Sequence, residues 1–415
     1  MNHSAHPSVK TTSTYPESRK ALFPTYGPPE EAFTRGEGCY LFKEGESEGY
    51  LDFFAGIAVN ALGHSHPELV SVLQEQAGKL WHVSNALRVP QGEELAQRLA
   101  GTAGLDRVFF GNSGTEAVEC GLKMMRRFHF DHGRPERDRI IGVNHAFHGR
   151  THGGICAAGN PEHTKGFIGK DERFDHVAFN DLPALEAAIT DHTAGIIIET
   201  VQGEGGIFPA RTDYLKSVRE LCDKHGILLM LDEVQCGVGR TGKFFAFEHY
   251  GVQPDVVASA KGLGGGYPVG ACIASKAVSD SMVIGTHGST YGGGPMAMAV
   301  ASKVVDIIDD AEFMAHVTTS SDMLNKGLND LVTQFPDILK EVRGMGLMIG
   351  IECIPAGANG EILKLARTHN LLITKAGCNT LRLLPPLIIG EKEILEALAK
   401  LKTSLVEYQA QMNSA

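Results

Sequence analysis

An acid and a lysine stand at the ends of two apolar runs. The first, Gly226-Ile-Leu-Leu-Met-Leu-Asp232-Glu-Val-Gln235, turns polar at Asp232; the second, Asp255-Val-Val-Ala-Ser-Ala-Lys261-Gly-Leu-Gly-Gly-Gly266, at Lys261. A lysine amine condenses with an aldehyde, and a carboxylate pairs with a pyridinium nitrogen, so the two suit pyridoxal phosphate. A salt bridge at a sheet edge accounts for these two residues alone equally well. Short apolar runs bounded by Gly or Pro fit strands buried on both faces of a parallel sheet, and ligands gather at the C-terminal ends of such strands.

Other polar residues fall at similar places. After the run Arg107-Val-Phe-Phe110 comes Gly111-Asn-Ser113-Gly114-Thr115-Glu-Ala, a small-residue turn opening a helix. The free N–H groups of a helix start, with nearby hydroxyls, make a phosphate site, although an ordinary Ser/Thr cap is the commoner use of such a turn. After Arg139 to Val143 comes Asn144-His-Ala-Phe147-His-Gly-Arg150-Thr151. An aromatic ring there can stack on a heteroaromatic ring, and an arginine can grip a carboxylate. The next run ends in Glu199-Thr-Val-Gln-Gly-Glu204, which brings two carboxylates to one strand end. A loop with Ser289 and Thr290 offers hydroxyls, and Arg382 stands just before a Pro-Pro stop.

Two motifs are rejected. His64 and His66 lack a third ligand at metal-site spacing, so no metal is expected. Gly237-Val-Gly239-Arg-Thr-Gly242 matches G-x-G-x-x-G, which raises a nicotinamide (NAD) dehydrogenase. That fingerprint needs its first glycine directly after a strand, a helix opening at the third and an acid ending the next strand. Here Asp232 to Cys236 intervene and aromatic residues follow.

The elements that must position these residues alternate strand and helix from about residue 90 to 275, the pattern of a wound parallel sheet. The reading places a strand at His176 to Phe179, a helix from about Pro183 to Ile189, and a helix capped by Thr212 or Asp213 and closed by Gly226. Residues 1 to about 50 read as an extended arm with a Pro28-Pro29 break, then a hairpin around Gly45 to Gly49. Across 415 residues, 38 basic and 49 acidic side chains leave a formal charge of −11, which disfavours a nucleic-acid surface. Eight scattered cysteines without a C-x-x-C pair, and a polar start, fit a cytoplasmic protein without a membrane anchor.

Together these motifs resemble the class III, fold-type I aminotransferases, and within them the bacterial acetylornithine aminotransferases. The resemblance runs from about Leu22 to Leu405. It rests on Phe-Ala-Gly-Ile-Ala-Val-Asn-Ala-Leu-Gly-His, Gly-Asn-Ser-Gly-Thr-Glu-Ala, Phe-His-Gly-Arg-Thr, Gln-Gly-Glu-Gly-Gly, Asp-Glu-Val-Gln, Lys-Gly-Leu-Gly-Gly-Gly and Gly-Thr-His-Gly-Ser-Thr-Tyr-Gly-Gly, in family order. It implies an α/β fold: a large domain with a mainly parallel sheet (59–299) and a smaller α+β domain from both chain ends (1–58 and 300–415).

The resemblance also implies the roles of single residues. Lys261 is the Schiff-base lysine, Asp232 the partner of the pyridinium, and Ser113, Gly114 and Thr115 the phosphate holders. Phe147 and Val234 take the two ring faces, and Gln235 lies near the phenolic oxygen. A homodimer is implied, with Ser289 and Thr290 reaching the partner's site. Arg150 is the clamp for the distant substrate carboxylate, and Glu199 and Arg382 are a switch pair. The implied reaction moves the terminal amine of N-acetylornithine to 2-oxoglutarate in arginine biosynthesis. 4-Aminobutyrate, ornithine and succinylornithine are the rival amines, and an NAD-dependent dehydrogenase and a catalytically silent cofactor-binding protein are the rivals outside the class. The chain departs from the family pattern at Thr200 (proline expected), Cys236 (threonine expected), Gly294 (asparagine expected) and Arg88, in a segment that lacks an aromatic residue relatives often carry.

Overall fold

The computed structural model describes residues 21–27, 31–169 and 171–414, so the expected arm before residue 21 and the Pro28-Pro29 break lie outside the described residues. The central sheet has seven strands: β1 Arg107–Gly111, β2 Arg139–Val143, β3 Phe174–Val177, β4 Thr193–Glu199, β5 Leu228–Asp232, β6 Val256–Ser259 and β7 Gly270–Ala274. Their spatial order is β1-β7-β6-β5-β4-β2-β3. Only β7 runs antiparallel to its neighbours. Every residue of β4, β5 and β6 is buried, as the unbroken apolar runs require. Along β5, Leu229 and Leu231 enter one hydrophobic cluster while Leu228 and Met230 enter another, the period-2 signature of a strand covered on both faces. Register pairs Asp232 with Glu199 on one side and with Ala258 on the other.

Two expected boundaries shift. The strand expected at His176 to Phe179 lies at Phe174–Val177. Asn180 takes a left-handed φ of 64°, and Asp181 accepts from Ala184 N to start the helix Leu182–Ala188, so Phe179 belongs to the turn. The helix Thr212–His225 closes at left-handed Gly226 as expected, but its cap position is Arg211, which makes no side-chain cap. No helix opens at Gly242, where turns lead to a short 3-10 helix at Ala246–Tyr250; the dinucleotide fingerprint therefore lacks its structural context.

The remaining sheets draw on both ends of the chain. Phe33–Glu37, Tyr40–Lys43 and Tyr50–Asp52 form a meander, and Leu371–Leu372 joins it parallel to Tyr50–Asp52. A second four-stranded sheet orders Leu339–Met345, Met348–Cys353, Thr380–Leu383 and Thr374–Ala376, with the helices Ala311–Gln334, Ala358–Thr368 and Glu391–Ser414 packed around it. The helix Pro295–Ile308 runs unbroken through position 299, so the expected boundary there is not a break in secondary structure. Among the described residues no helix is long and apolar enough to cross a membrane, and no cluster of potential ligands can hold a metal. His64 instead pairs with Asp52 at 2.7 Å.

Candidate active site

A cavity of about 150 Å³ opens at the C-terminal edge of the central sheet, lined by Ser113, Gly114, Thr115, Val118, Phe147, His148, Gly149, Glu199, Asp232, Val234, Gln235 and Lys261. Its floor is Asp232, the last residue of β5, buried with 3 % exposure. One carboxylate oxygen accepts from Val234 N at 3.0 Å, and the other lies 2.7 Å from Nδ1 of His148. His148 is enclosed and its Nε2 has no partner. The Asp232 carboxylate beside it raises its pKa against the opposing pull of burial. The sequence reading quoted Phe-His-Gly-Arg-Thr yet gave His148 no role; a histidine next to an aromatic carries no local signal that a strand-end acid lies across the sheet.

Lys261 follows β6 with a φ of +44°, a left-handed conformation that costs a non-glycine residue roughly 1–3 kcal/mol and clusters at functional sites. Burial pushes its amine down to about 8, and Arg382 adds to this. At the opposite end, the helix Gly114–Asp131 begins at Ser113, whose hydroxyl accepts from Glu116 N at 3.2 Å. The Glu116 carboxylate reaches back to accept from Asn112 N at 2.7 Å, one residue before the cap. Ser113 therefore does serve as an ordinary cap, while Gly114 and Thr115 line the cavity. A Cβ on Gly114 would meet Val234 Cγ1 at 2.6 Å, so only glycine lets the helix start and the Val234 wall approach this closely.

Glu199 is buried beside Asp232. Its carboxylate accepts from Phe147 N at 3.1 Å and Gly203 N at 3.2 Å, and burial raises it to about 7. These bonds occupy Glu199, and the expected pairing of Glu199 with Arg382 is not found. Arg382 Nη1 instead donates to Glu204 at 2.6 Å and to Gln235 at 3.3 Å. The correction has a steric cause: Glu199 ends the strand and turns into the sheet edge. Glu204 sits on a loop held toward the smaller sheets by Gly377 N on Glu204 O (2.8 Å) and Arg343 Nε on Gly206 O (2.8 Å). Arg382 is 2 % exposed, and the Glu204 side chain 36 %. The solvent-accessible partner of that pair is the acid.

Four expected site residues do not line this cavity: Arg382, Arg150, Ser289 and Thr290. Arg150 is exposed, with its guanidinium 5.6 Å from the centre of the Phe147 ring. Ser289 accepts from Gly292 N and Asn112 Nδ2, and Thr290 is exposed.

The residues present fit pyridoxal phosphate: free helix-start amides for the phosphate, apolar walls at Phe147 and Val234, a buried acid for the ring nitrogen and a lysine at the mouth. Residues 25–405 match the family described as aminotransferase class-III. The acetylornithine aminotransferase of Mesorhizobium japonicum is 49 % identical over 93 % of this chain and 96 % of its own length. That of Neisseria meningitidis is 44 % identical over 87 % and 91 %. Among solved structures, the N-acetylornithine aminotransferase of Stenotrophomonas maltophilia superposes with a TM-score of 0.81 at 37 % identity, covering 92 % of this chain and 98 % of that one. The ornithine aminotransferase of Toxoplasma gondii does so with 0.90 at 29 %, covering 95 % and 94 %. With a lysine and an acid at adjoining strand ends, a phosphate-sized helix start and likeness along nearly its whole length, the chain belongs to the class-III aminotransferases, enzymes that depend on pyridoxal phosphate.

Proposed function

We propose that the protein transfers the terminal amino group of N-acetylornithine to 2-oxoglutarate, giving N-acetylglutamate 5-semialdehyde and glutamate in arginine biosynthesis. The observation that carries this reading is the buried Arg382 masked by Glu204. Two amine donors of different shape must use one site. Glutamate brings an α-carboxylate that displaces Glu204 from Arg382, whereas the apolar chain next to the terminal amine of acetylornithine meets a neutralised pair. A ω-amino substrate needs that masking because it brings no carboxylate next to its reacting amine, and a bare buried arginine would be left with its charge unpaired. The relatives named above support the acetylated substrate.

The bound cofactor supplies an aldehyde that captures amines and a ring that accepts electrons from a breaking C–H bond. The protein's own residues do the rest. Lys261 would hold the cofactor through Nζ and, once free, would carry the proton of the substrate carbon at Nζ; its lowered pKa keeps the neutral amine accessible. Asp232, braced by His148, keeps the ring nitrogen protonated. Gly114, Thr115 and Ser113 would hold the phosphate, Phe147 and Val234 would wall the ring, and Gln235 would meet its phenolic oxygen. Glu199 orients Phe147 through the backbone N–H that it accepts. Arg150 clamps the distant carboxylate.

The reading includes a homodimer in which Ser289 and Thr290 complete the partner's phosphate site. Trp81 (69 % exposed) and Tyr291 (67 %) support it, with His82 and Tyr291 rings 5.4 Å apart and Asn85 Nδ2 donating to Ser289 O at 2.9 Å, because so much exposed aromatic surface beside the loop suits burial by a second copy. The reading also keeps the division at 58/59 and 299/300 and a cytoplasmic location, which free thiols at all eight cysteines suit. Absorption spectra of the purified protein, taken before and after N-acetylornithine, ornithine, 4-aminobutyrate, succinylornithine and glutamate, test the substrate. Conversion of the lysine-bound cofactor band by acetylornithine and glutamate, and poorly by the others, is expected. Preferential conversion by ornithine, the amine named for the Toxoplasma neighbour, would replace the substrate and keep the mechanism.

A further inference from the structure

Two departures from the family pattern, Thr200 and Cys236, stand 36 residues apart in the chain and meet at one carboxylate. Glu233 follows Asp232 and, like Thr200 and Cys236, is wholly buried. Its Oε1 accepts from the Thr200 hydroxyl at 2.5 Å and Phe247 N at 3.1 Å. Its Oε2 accepts from Ala246 N at 2.7 Å and the Cys236 thiol at 3.5 Å. Four donors fill the acceptor sites of a carboxylate, so no part of this acid is left over for a ligand. Its main chain is fixed as well: Glu233 N donates to Ala258 O on β6 at 2.9 Å, and Gly237 N donates to Glu233 O at 3.0 Å.

The consequence reaches the cavity through the chain. Glu233 lies between the acid that meets the ring nitrogen and Val234, which forms one wall, and Val234 N is itself bonded to Asp232. Anchoring the Glu233 side chain to the loop after β4 and to the turn at Ala246–Phe247 sets the rotation of the peptide units on both sides of it. A shift there moves Asp232 and Val234 together, and Val234 already stands so near Gly114 that a Cβ at that position would meet its Cγ1 at 2.6 Å.

We propose that Glu233 is a positioning residue for the cofactor contacts of Asp232 and Val234, and that Thr200 and Cys236 are interdependent donors to it. Of the two side chains only Thr200 carries a hydroxyl, at 2.5 Å, and Cys236 is a weakly donating thiol at 3.5 Å. One strong side-chain donor suffices, from either side of the acid.

The inference rests on the pyridoxal phosphate reading, and its test separates the two. Cofactor-free protein, Thr200→Val, Cys236→Thr, the double variant and Thr200→Ser are titrated with pyridoxal phosphate. Three quantities are recorded: dissociation constant, visible circular dichroism of the bound cofactor, and far-ultraviolet circular dichroism for folding. Thr200→Val, isosteric but without a hydroxyl, is expected to weaken binding about tenfold and alter the visible dichroism, as loss of a hydrogen bond to a buried charged group does. Cys236→Thr alone is expected to change binding less than about twofold, and the double variant to return to within about threefold of the wild type, because the hydroxyl at 236 then carries the bond. Thr200→Ser is expected to match the wild type. A double variant no better than Thr200→Val overturns the donor pairing. Thr200→Val that lowers only thermal stability, with binding and visible dichroism unchanged, overturns the positioning role. If Thr200→Val does not fold, a Thr200→Ser variant that binds as poorly as an unfolded chain overturns the proposal, and one that binds normally upholds the hydroxyl requirement. Failure of the wild type to bind the cofactor would strike the cofactor reading instead.

Discussion

On the sheet side of the cavity, Asp232, His148 and Glu199 are buried, and nearly all their polar contacts come from the chain itself; on the outer side, Arg150, Thr290 and Tyr291 face solvent. On this inner wall Asp232 and Glu199 are strand ends in register, so their placement is held by the backbone of the central sheet, and burial raises the Glu199 carboxyl. The outer wall hangs from loops. What this difference teaches is that the residues proposed for proton and electron movement line the cavity at the sheet edge, whereas Arg150 and Thr290, proposed for a substrate carboxylate and part of the phosphate grip, are open to solvent.

The comparison can be broken most severely at Lys261. Lys261→Ala is expected to lower turnover by roughly 10⁴-fold, the upper range for a positioned acid–base group, with the fold retained by circular dichroism. Transamination surviving in that variant would remove the lysine from the mechanism. Asp232→Asn is expected to lower the rate about 10²–10³-fold, since an amide cannot hold the ring nitrogen protonated. An outer-wall substitution that cost more would reverse the ranking of the two walls.

Arg382 lies between the two. Arg382→Ala is expected to raise KM for glutamate and 2-oxoglutarate by about 10–100-fold, the worth of a charge-assisted hydrogen bond, with a smaller effect on acetylornithine. Steady-state kinetics of each half-reaction checks this; equal losses for both amines would place Arg382 outside the switch.

The inner wall also has a pH signature. Burial raises Glu199 and Glu233 from the ordinary 4.5 to about 7. A raised pKa means the folded chain binds protons more tightly than the unfolded one, so this stabilisation is fully present below pH 4.5 and is lost as pH rises toward 7. The melting temperature of the cofactor-free protein is expected to carry a component that falls over this window, and Glu199→Gln to flatten it. A steeper fall in that variant would contradict the assignment. The smallest effect is expected at the rim: Thr290→Ala should weaken cofactor binding only a few-fold, by the loss of one hydrogen bond, and only in the assembled dimer. Sedimentation and binding measured across a dilution series distinguish this from an effect within one chain.

Much of this arrangement was legible from spacing. The apolar runs ending at Asp232 and Lys261 are strands that pair in parallel, and the turn at Ser113 to Thr115 does open a helix at the cavity. Those inferences held because burial on both faces of a sheet demands continuous apolar sequence, and a helix start demands a small capping residue. The strand placed at His176 to Phe179 missed by two residues because Asp181 captures the following turn, a local competition that periodicity does not register.

Contacts across the fold were another matter. Glu199 and Glu204 are five positions apart, and nothing in their local sequence says which meets Arg382. The same holds for His148 behind Asp232 and for Thr200 beside Glu233 and Cys236. Sequence by itself determined the strands of the sheet, the placing of Asp232 and Lys261 at adjoining strand ends and the helix-opening turn at Ser113 to Thr115, because each follows from local periodicity and residue chemistry. Only the tertiary structure decided which buried charges face each other, because that depends on strand register and on where a loop is pinned, and hydrogen-bond geometry discriminates over a few tenths of an ångström.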